Sequence, residues 1–145
     1  MKHNLLIIAA CFTLLSCSKS SGDPFNKDNL TTGKWKMTGL MTDYNKDGVY
    51  EEDTYSMYEP CLKDDIYTFQ ADGTLITDAG ALKCYSTDPQ TRTSTWSLID
   101  NQTRIQVAGA KYQIEELSTS TFRLKGRTSY NIIYTIDLEI TYTKQ

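Results

Sequence analysis

The sequence predicts an all-β protein, an antiparallel up-and-down meander of about eight strands that closes into a small barrel. Three observations carry this. Near the C-terminus Tyr130, Ile132, Tyr134, Ile136, Leu138, Ile140 and Tyr142 alternate with Asn131, Ile133, Thr135, Asp137, Glu139, Thr141 and Thr143. A period of two held this long describes a strand with one face buried and one in water. Short polar segments containing Asp, Asn, Gly or Ser separate similar stretches along the chain. No segment carries a convincing helical period, and short sequential turns favour closure, which removes exposed sheet edges.

The elements follow in order. Lys2 and His3 give a short basic start, and residues 5–15 are an apolar run. The run has the length of a secretory h-region and is too short to span a bilayer. It ends in Leu14-Leu15-Ser16-Cys17, which resembles the lipobox of bacterial lipoproteins. That resemblance implies diacylation of Cys17, which becomes the new N-terminus. A rival at Ile8-Ala9-Ala10-Cys11 leaves too short an apolar core. Residues 1–16 are therefore expected to be a lipoprotein signal peptide, and residues 17–31 a lipidated cysteine with a polar, flexible tether. Residues 32–145 form the barrel domain. Its expected strands are residues 34–41, 66–69, 74–77, 93–99, 104–107, 111–117, 121–127 and 130–143. In the first, Trp35, Met37, Gly39 and Met41 share a face. Ala71-Asp72-Gly73 makes a hairpin turn in which glycine supplies the positive φ.

Composition excludes several functions. The formal net charge is −3, and loss of Lys2 with the signal makes the remainder more acidic. With no clustered basic stripe, this argues against nucleic acid as a partner. The only histidine is His3, so the mature protein has no imidazole for base catalysis or metal ligation. With Cys11 removed and Cys17 acylated, Cys61 and Cys84 remain. In an exported domain they read as one disulfide, the alternative being two buried thiols.

Gly33-Lys34-Trp35 on the first strand looks like the lipocalin G-x-W. Glu59-Pro60-Cys61, Lys63-Asp64-Asp65, Tyr67-Thr68-Phe69, Asp72-Gly73-Thr74 and Lys83-Cys84 resemble the lipocalin-like domain of Bacteroidetes lipoproteins. Asp88-Pro89, Thr95-Trp96-Ser97-Leu98 and Tyr112-x-Ile114-x-x-Leu117 continue the resemblance, which covers residues 32–143. It implies a small lipocalin-like barrel.

Two candidate sites stand out. Asp43-Tyr44-Asn45-Lys46-Asp47-Gly48 opens like a calcium loop, with Asp43, Asn45 and Asp47 on alternate positions and Glu51 and Asp53 as further oxygens. Position twelve is Thr54 rather than a bidentate Glu, and no flanking helices are evident, so a polar turn is the competing reading. Trp35, Tyr67, Phe69, Trp96, Tyr112 and Tyr134 form an aromatic set for the barrel interior. They either line a partly open cavity for a small apolar ligand or fill a packed core. Asp64-Asp65 and Glu51-Glu52-Asp53 do not converge from sequence spacing and read as solvated loop acids.

These readings define a non-enzymatic, lipid-anchored protein of the cell envelope, expected at the outer membrane on its periplasmic or surface face. No cofactor is required, Ca2+ being the one candidate. The expected partners are the membrane, reached through the anchor, and a small apolar ligand; the alternative is docking of an envelope protein through the outer surface.

Overall fold

The computed structural model describes residues 25–129 and 134–145. Cys17, the signal and the first part of the tether lie outside the described residues, as do Tyr130, Ile132 and Ile133. The strands are β1 (Trp35–Asp43), β2 (Glu52–Asp53), β3 (Ile66–Phe69), β4 (Thr74–Asp78), β5 (Thr91–Ile99), β6 (Arg104–Val107), β7 (Ala110–Leu117), β8 (Thr121–Ser129) and β9 (Thr135–Lys144). From β3 to β9 each strand pairs antiparallel with the next, and β9 pairs with β1. The sheet is thus a closed eight-stranded antiparallel barrel with β2 as an extra strand on the upper part of β1. The β2 pairing is two residues long and leaves no alternation in the sequence.

The barrel has a closed base. Helix α1 (Lys27–Thr31) is capped by Asn26, whose side chain accepts from the Asp28 amide at 2.9 Å. It drives Leu30, at 0% exposure, into the core. Trp35 Nε1 donates to the Leu30 carbonyl at 2.9 Å, which satisfies the indole inside an apolar region. Gly33 stands between helix and strand at φ +96°, a conformation that favours glycine, so the G-x-W pattern has a local cause. Above α1 the rings of Trp35, Phe122, Phe69 and Trp96 meet edge to face at centroid distances of 5.5–5.8 Å. Ile105, Ile114, Leu117, Leu124 and Leu75 complete this packed half. The expected tether therefore needs correction at its end. From Phe25 onward it packs against the core, because a single buried Leu on a one-turn helix leaves no periodic trace.

Bulges set which residues face in. The β1–β9 register shifts between Met37 and Gly39. Trp35 and Met37 are buried before the shift, and Leu40 and Thr42 after it. The expected inward face of Gly39 and Met41 is thus reversed, since one extra residue flips every later side chain. A second shift between Ile114 and Glu116 lets both Ile114 and Leu117 point inward.

The seam between β1 and β3 is short, with pairing only at Trp35↔Tyr67 and Lys36↔Ile66. Above it the wall is made by β2, a 3₁₀ turn (Tyr55–Met57) and α2 (Pro60–Lys63). Tyr55 donates to the Met37 carbonyl at 3.1 Å, and the Thr42 and Thr54 hydroxyls bond at 2.7 Å. The Cys61–Cys84 disulfide ties α2 to the β4–β5 loop. Closing a loop of this size stabilises the fold by about 3 kcal/mol on the chain-entropy model. Asp64 fastens the same loop by accepting from the Ala81 and Leu82 amides.

If α1 belongs to the barrel, Leu30→Ala should destabilise the domain by about 3 kcal/mol, the usual cost of a buried Leu truncation. Urea denaturation checks this. Unchanged stability would return these residues to the tether.

Candidate ligand-binding lumen

Strand register places the upper half of the lumen. Tyr67 on β3 lies opposite Thr77 on β4, and Thr77 lies opposite Arg92 on β5. Directly opposed residues share a sheet face, so all three turn inward with Tyr67. Tyr112 on β7 lies opposite Gly126 on β8, which lies opposite Leu138 on β9. A Cβ at Gly126 would sit 2.5 Å from Tyr112 Cδ1; the ring lies across the strand, and only glycine admits it. Tyr142 stacks on Phe122 at 5.8 Å below and meets Tyr67 edge to face at 5.3 Å. From the seam, Tyr55 and Tyr58 pack against Met37, Leu40 and Leu138. Lys63 holds this lid, donating to the Ser56 carbonyl at 3.0 Å with its ammonium over the Tyr55 ring.

The two halves differ in how completely they are filled. Side chains at the base are buried, whereas Tyr67, Tyr112, Ile140 and Tyr142 are only part-buried although they point inward. Among the described residues, the hydroxyls of Tyr58, Tyr67, Tyr112 and Tyr142 have no protein hydrogen-bond partner. No fully buried side-chain oxygen or nitrogen there is left unpaired either. Together these facts mean that the phenol oxygens border accessible space. Burial pushes the Tyr67 hydroxyl up to about 12, with Asp65 and Tyr58 adding to the shift and Arg92 opposing it. Burial raises Tyr142 further, reinforced by Tyr67, Tyr112 and Tyr58, and burial alone raises Tyr112. The phenols are therefore neutral at physiological pH and available as donors and acceptors.

Asp65 is the residue that sequence reasoning missed. It was expected to be a solvated acid, yet it is 8% exposed. Its carboxylate has no hydrogen-bond or ion-pair partner among the described residues. Burial raises its pKa, opposed by Arg92 and reinforced by Asp64 and Asp78. The usable signal was the period-two frame of β3: counting back from Phe69 and Tyr67 puts Asp65 on the inward face. Asp64 takes the other face, as adjacent strand residues must.

The expected aromatic set divides. Tyr67 and Tyr112 line the upper lumen. Trp35, Phe69 and Trp96 belong to the packed base, and Trp96 Nε1 donates to the Gln70 and Thr74 carbonyls at 3.0 and 3.1 Å. Tyr134 is a correction: it precedes β9 and is 64% exposed, so it does not line the interior. Among the described residues, clefts also open on the outside of the barrel. One of about 530 Å³ opens at the base beside Lys27, Gly73 and Leu98. Another, of about 470 Å³, lies on the outer face between Tyr50, Arg104, Lys125 and Arg127.

Of the five candidate calcium ligands, Asn45 and Asp47 are held together by an Asn45 Nδ2 donation to Asp47 at 3.0 Å. The oxygens of Asp43, Asn45, Asp47 and Asp53 are engaged within the loop and its flanks. Asp43 is 1% exposed and accepts from the Lys46 and Gly48 amides at 2.6 and 2.8 Å. Asn45 accepts from the Asp47 amide and Asp47 from the Val49 amide. Glu51 is exposed, and Asp53 accepts from the Ser56 amide at the 3₁₀ turn. Among the described residues no group of three or more acidic, His or Cys side chains is placed to hold a metal ion. The oxygens serve as backbone acceptors, the other use of Asp and Asn in tight turns.

An eight-stranded antiparallel barrel, packed at one end and lined with tyrosines at the other, is a barrel of lipocalin type. Residues 31–124 match the lipocalin-like domain family, and the chain belongs to that family. A comparison with curated proteins finds no match.

Asp43→Ala should cost about 1–3 kcal/mol, the penalty for leaving buried amides unsatisfied. The loss should be equal in EDTA and in millimolar calcium. A melting temperature that rises with calcium in the wild type and not in the variant would restore the metal reading.

Proposed function

We propose that this protein is a non-enzymatic, lipid-anchored envelope protein of the Bacteroidetes lipocalin-like type that holds a small, largely apolar molecule in its upper lumen. The carrying observation is the contrast inside one barrel, where a base filled with aromatic rings lies beneath inward tyrosines that border accessible space. Apolar walls with a few placed polar groups are the usual composition of small-molecule sites. Phenols suit this role because they give large contact area with little rotamer entropy to lose. The requirement for a cofactor is none on this reading. Tethering through Cys17 is supported by the basic start, the apolar run and Leu14-Leu15-Ser16-Cys17. Ser18 after the cysteine, in place of an acidic residue, supports the outer membrane as destination.

Purified protein should bind N-phenyl-1-naphthylamine, a neutral apolar fluorophore, saturably and with enhanced emission. Thr77→Trp, which puts an indole on the inward face, should abolish uptake. Thr68→Trp, on the outer face of β3, should not. Folded wild-type protein that takes up no probe would overturn the reading.

A second reading has one observation of its own. Met57, Leu62, Leu82 and Tyr85 are exposed around the disulfide-linked loops, an arrangement suited to docking an envelope protein. Competition separates the two, because a partner seated there leaves Thr77→Trp without effect on its binding.

Anchoring is checked independently. Cys17→Ala should move the protein from the detergent phase to the aqueous phase or leave it unprocessed, since acyl chains supply the membrane affinity. Unchanged partitioning would refute the anchor.

A further inference from the structure

We propose that the upper lumen selects an organic ammonium, an amine carried on an apolar or aromatic body, with Asp65 as its counter-charge and the surrounding tyrosines as its cage. The inference rests on the lumen being a binding site and goes on to name the chemistry of its occupant.

The first observation is Asp65 itself. Asp65 is 8% exposed as a residue, and its carboxylate has no hydrogen-bond or ion-pair partner among the described residues. No fully buried side-chain oxygen there is left unpaired, so its oxygens, like the phenols, reach accessible space. A largely covered charge without a partner is costly to keep. Apart from the lumen phenols, the buried polar side chains of the interior have partners, among them Trp35, Trp96 and Thr42. The neighbouring acids are satisfied too. Asp64 takes two amide donors, and Asp78 takes Gln90 and the Gly80 amide. Of these three acids only Asp65 retains its full acceptor capacity, and its strand frame aims it at the lumen beside Tyr67.

The second observation is the aromatic cluster that Tyr67, the neighbour of Asp65, belongs to. Tyr55, Tyr58, Tyr67, Tyr112 and Tyr142 all pack about Met37, Leu40 and Leu138. Aromatic faces carry negative potential, and a ring cluster with one carboxylate is the arrangement that recognises a desolvated ammonium. Neutral phenols add acceptor oxygens for the remaining N–H groups. The apolar residues below them take the body of the ligand.

Arg92 is the competing charge. It reaches the lumen rim from β5 but is exposed, and among the described residues it makes no ion pair with Asp65. Its place at the rim leaves it hydrated, so it repels an ammonium ligand weakly through solvent rather than filling the site. An anionic ligand would require the opposite roles, with Arg92 as anchor and Asp65 as repulsion.

The test uses three probes of one shape: 2-(2-naphthyl)ethylamine, 2-(2-naphthyl)ethanol and 3-(2-naphthyl)propanoate, titrated calorimetrically. The wild type should bind the amine about tenfold or more tighter than the alcohol, the scale of one charge-assisted hydrogen bond. Asp65→Asn should abolish that preference while keeping affinity for the alcohol, which also shows that the variant is folded. Arg92→Gln should tighten the amine slightly. Equal affinity for amine and alcohol in the wild type, or a preference that survives Asp65→Asn, would overturn the proposal and leave lumen binding intact. Tightest binding of the propanoate, lost in Arg92→Gln, would overturn it in favour of an anion site. Failure of all three probes to bind folded protein would remove the lumen reading and this inference with it.

Discussion

Strand β1 is shared between two neighbours, and the rest of the structure depends on how it divides itself. It pairs with β9 along its whole length, from Trp35↔Lys144 to Asp43↔Asp137, and that ladder closes the barrel. With β3 it pairs at only two positions. A barrel cannot leave a seam of unpaired backbone open to its core, because each buried unpaired N–H or C=O is costly. The chain meets that constraint with the segment between β1 and β3. There β2 pairs with the upper part of β1, Tyr55 takes the Met37 carbonyl, and α2 is pinned by the disulfide. The same patch delivers Tyr55 and Tyr58 to the lumen. Sealing the wall and furnishing the site are one structural event.

The interior is then divided by side-chain size. At the base, large rings from β1, β3, β5 and β8 converge on one level and leave no room. Eight strands give an interior that such side chains fill. α1 and Leu30 close the end, with Lys144 and Lys27 lying over the Trp35 and Trp96 rings. Higher up, glycine at 126 admits the Tyr112 ring and threonine stands at 77, and the tyrosines there are only part-buried. Stability resides in the lower half, which leaves the upper half free to carry groups that do not stabilise the fold, Asp65 among them. Buried charge of that kind is tolerated where another element of the protein over-determines the local structure. Here the neighbouring Asp64 does so by holding the β4–β5 loop.

The eight barrel strands were legible in the sequence because period-two alternation and Asp/Gly-containing turns are local signals. The turn at Gly73 and the disulfide partners were legible for the same reason, one as backbone chemistry and the other as cysteine arithmetic in an exported chain. The candidate site was legible only in part. Tyr67 and Tyr112 lie in the lumen, but the same alternation pointed equally to Trp35, Phe69 and Trp96, which the base consumes. Whether an inward aromatic packs or lines a cavity depends on what faces it across the barrel, and that is a long-range fact.

Strand content and the antiparallel order of successive strands were thus readable in the sequence, since each follows from residues a few positions apart. Closure joins β1 to β9 at opposite ends of the domain and was expected only because it removes exposed edges. Only the tertiary structure decided the rest. The bulge near Thr38 reversed the upper face of β1, because one inserted residue is invisible until two strands are aligned. Asp43 and its neighbours became backbone acceptors rather than ligands, because the loop folds inward on its own amides. The burial of Asp65 waited on the assembled barrel, where β3 sits between β1 and β4, because how far an inward residue is covered depends on what stands beside it.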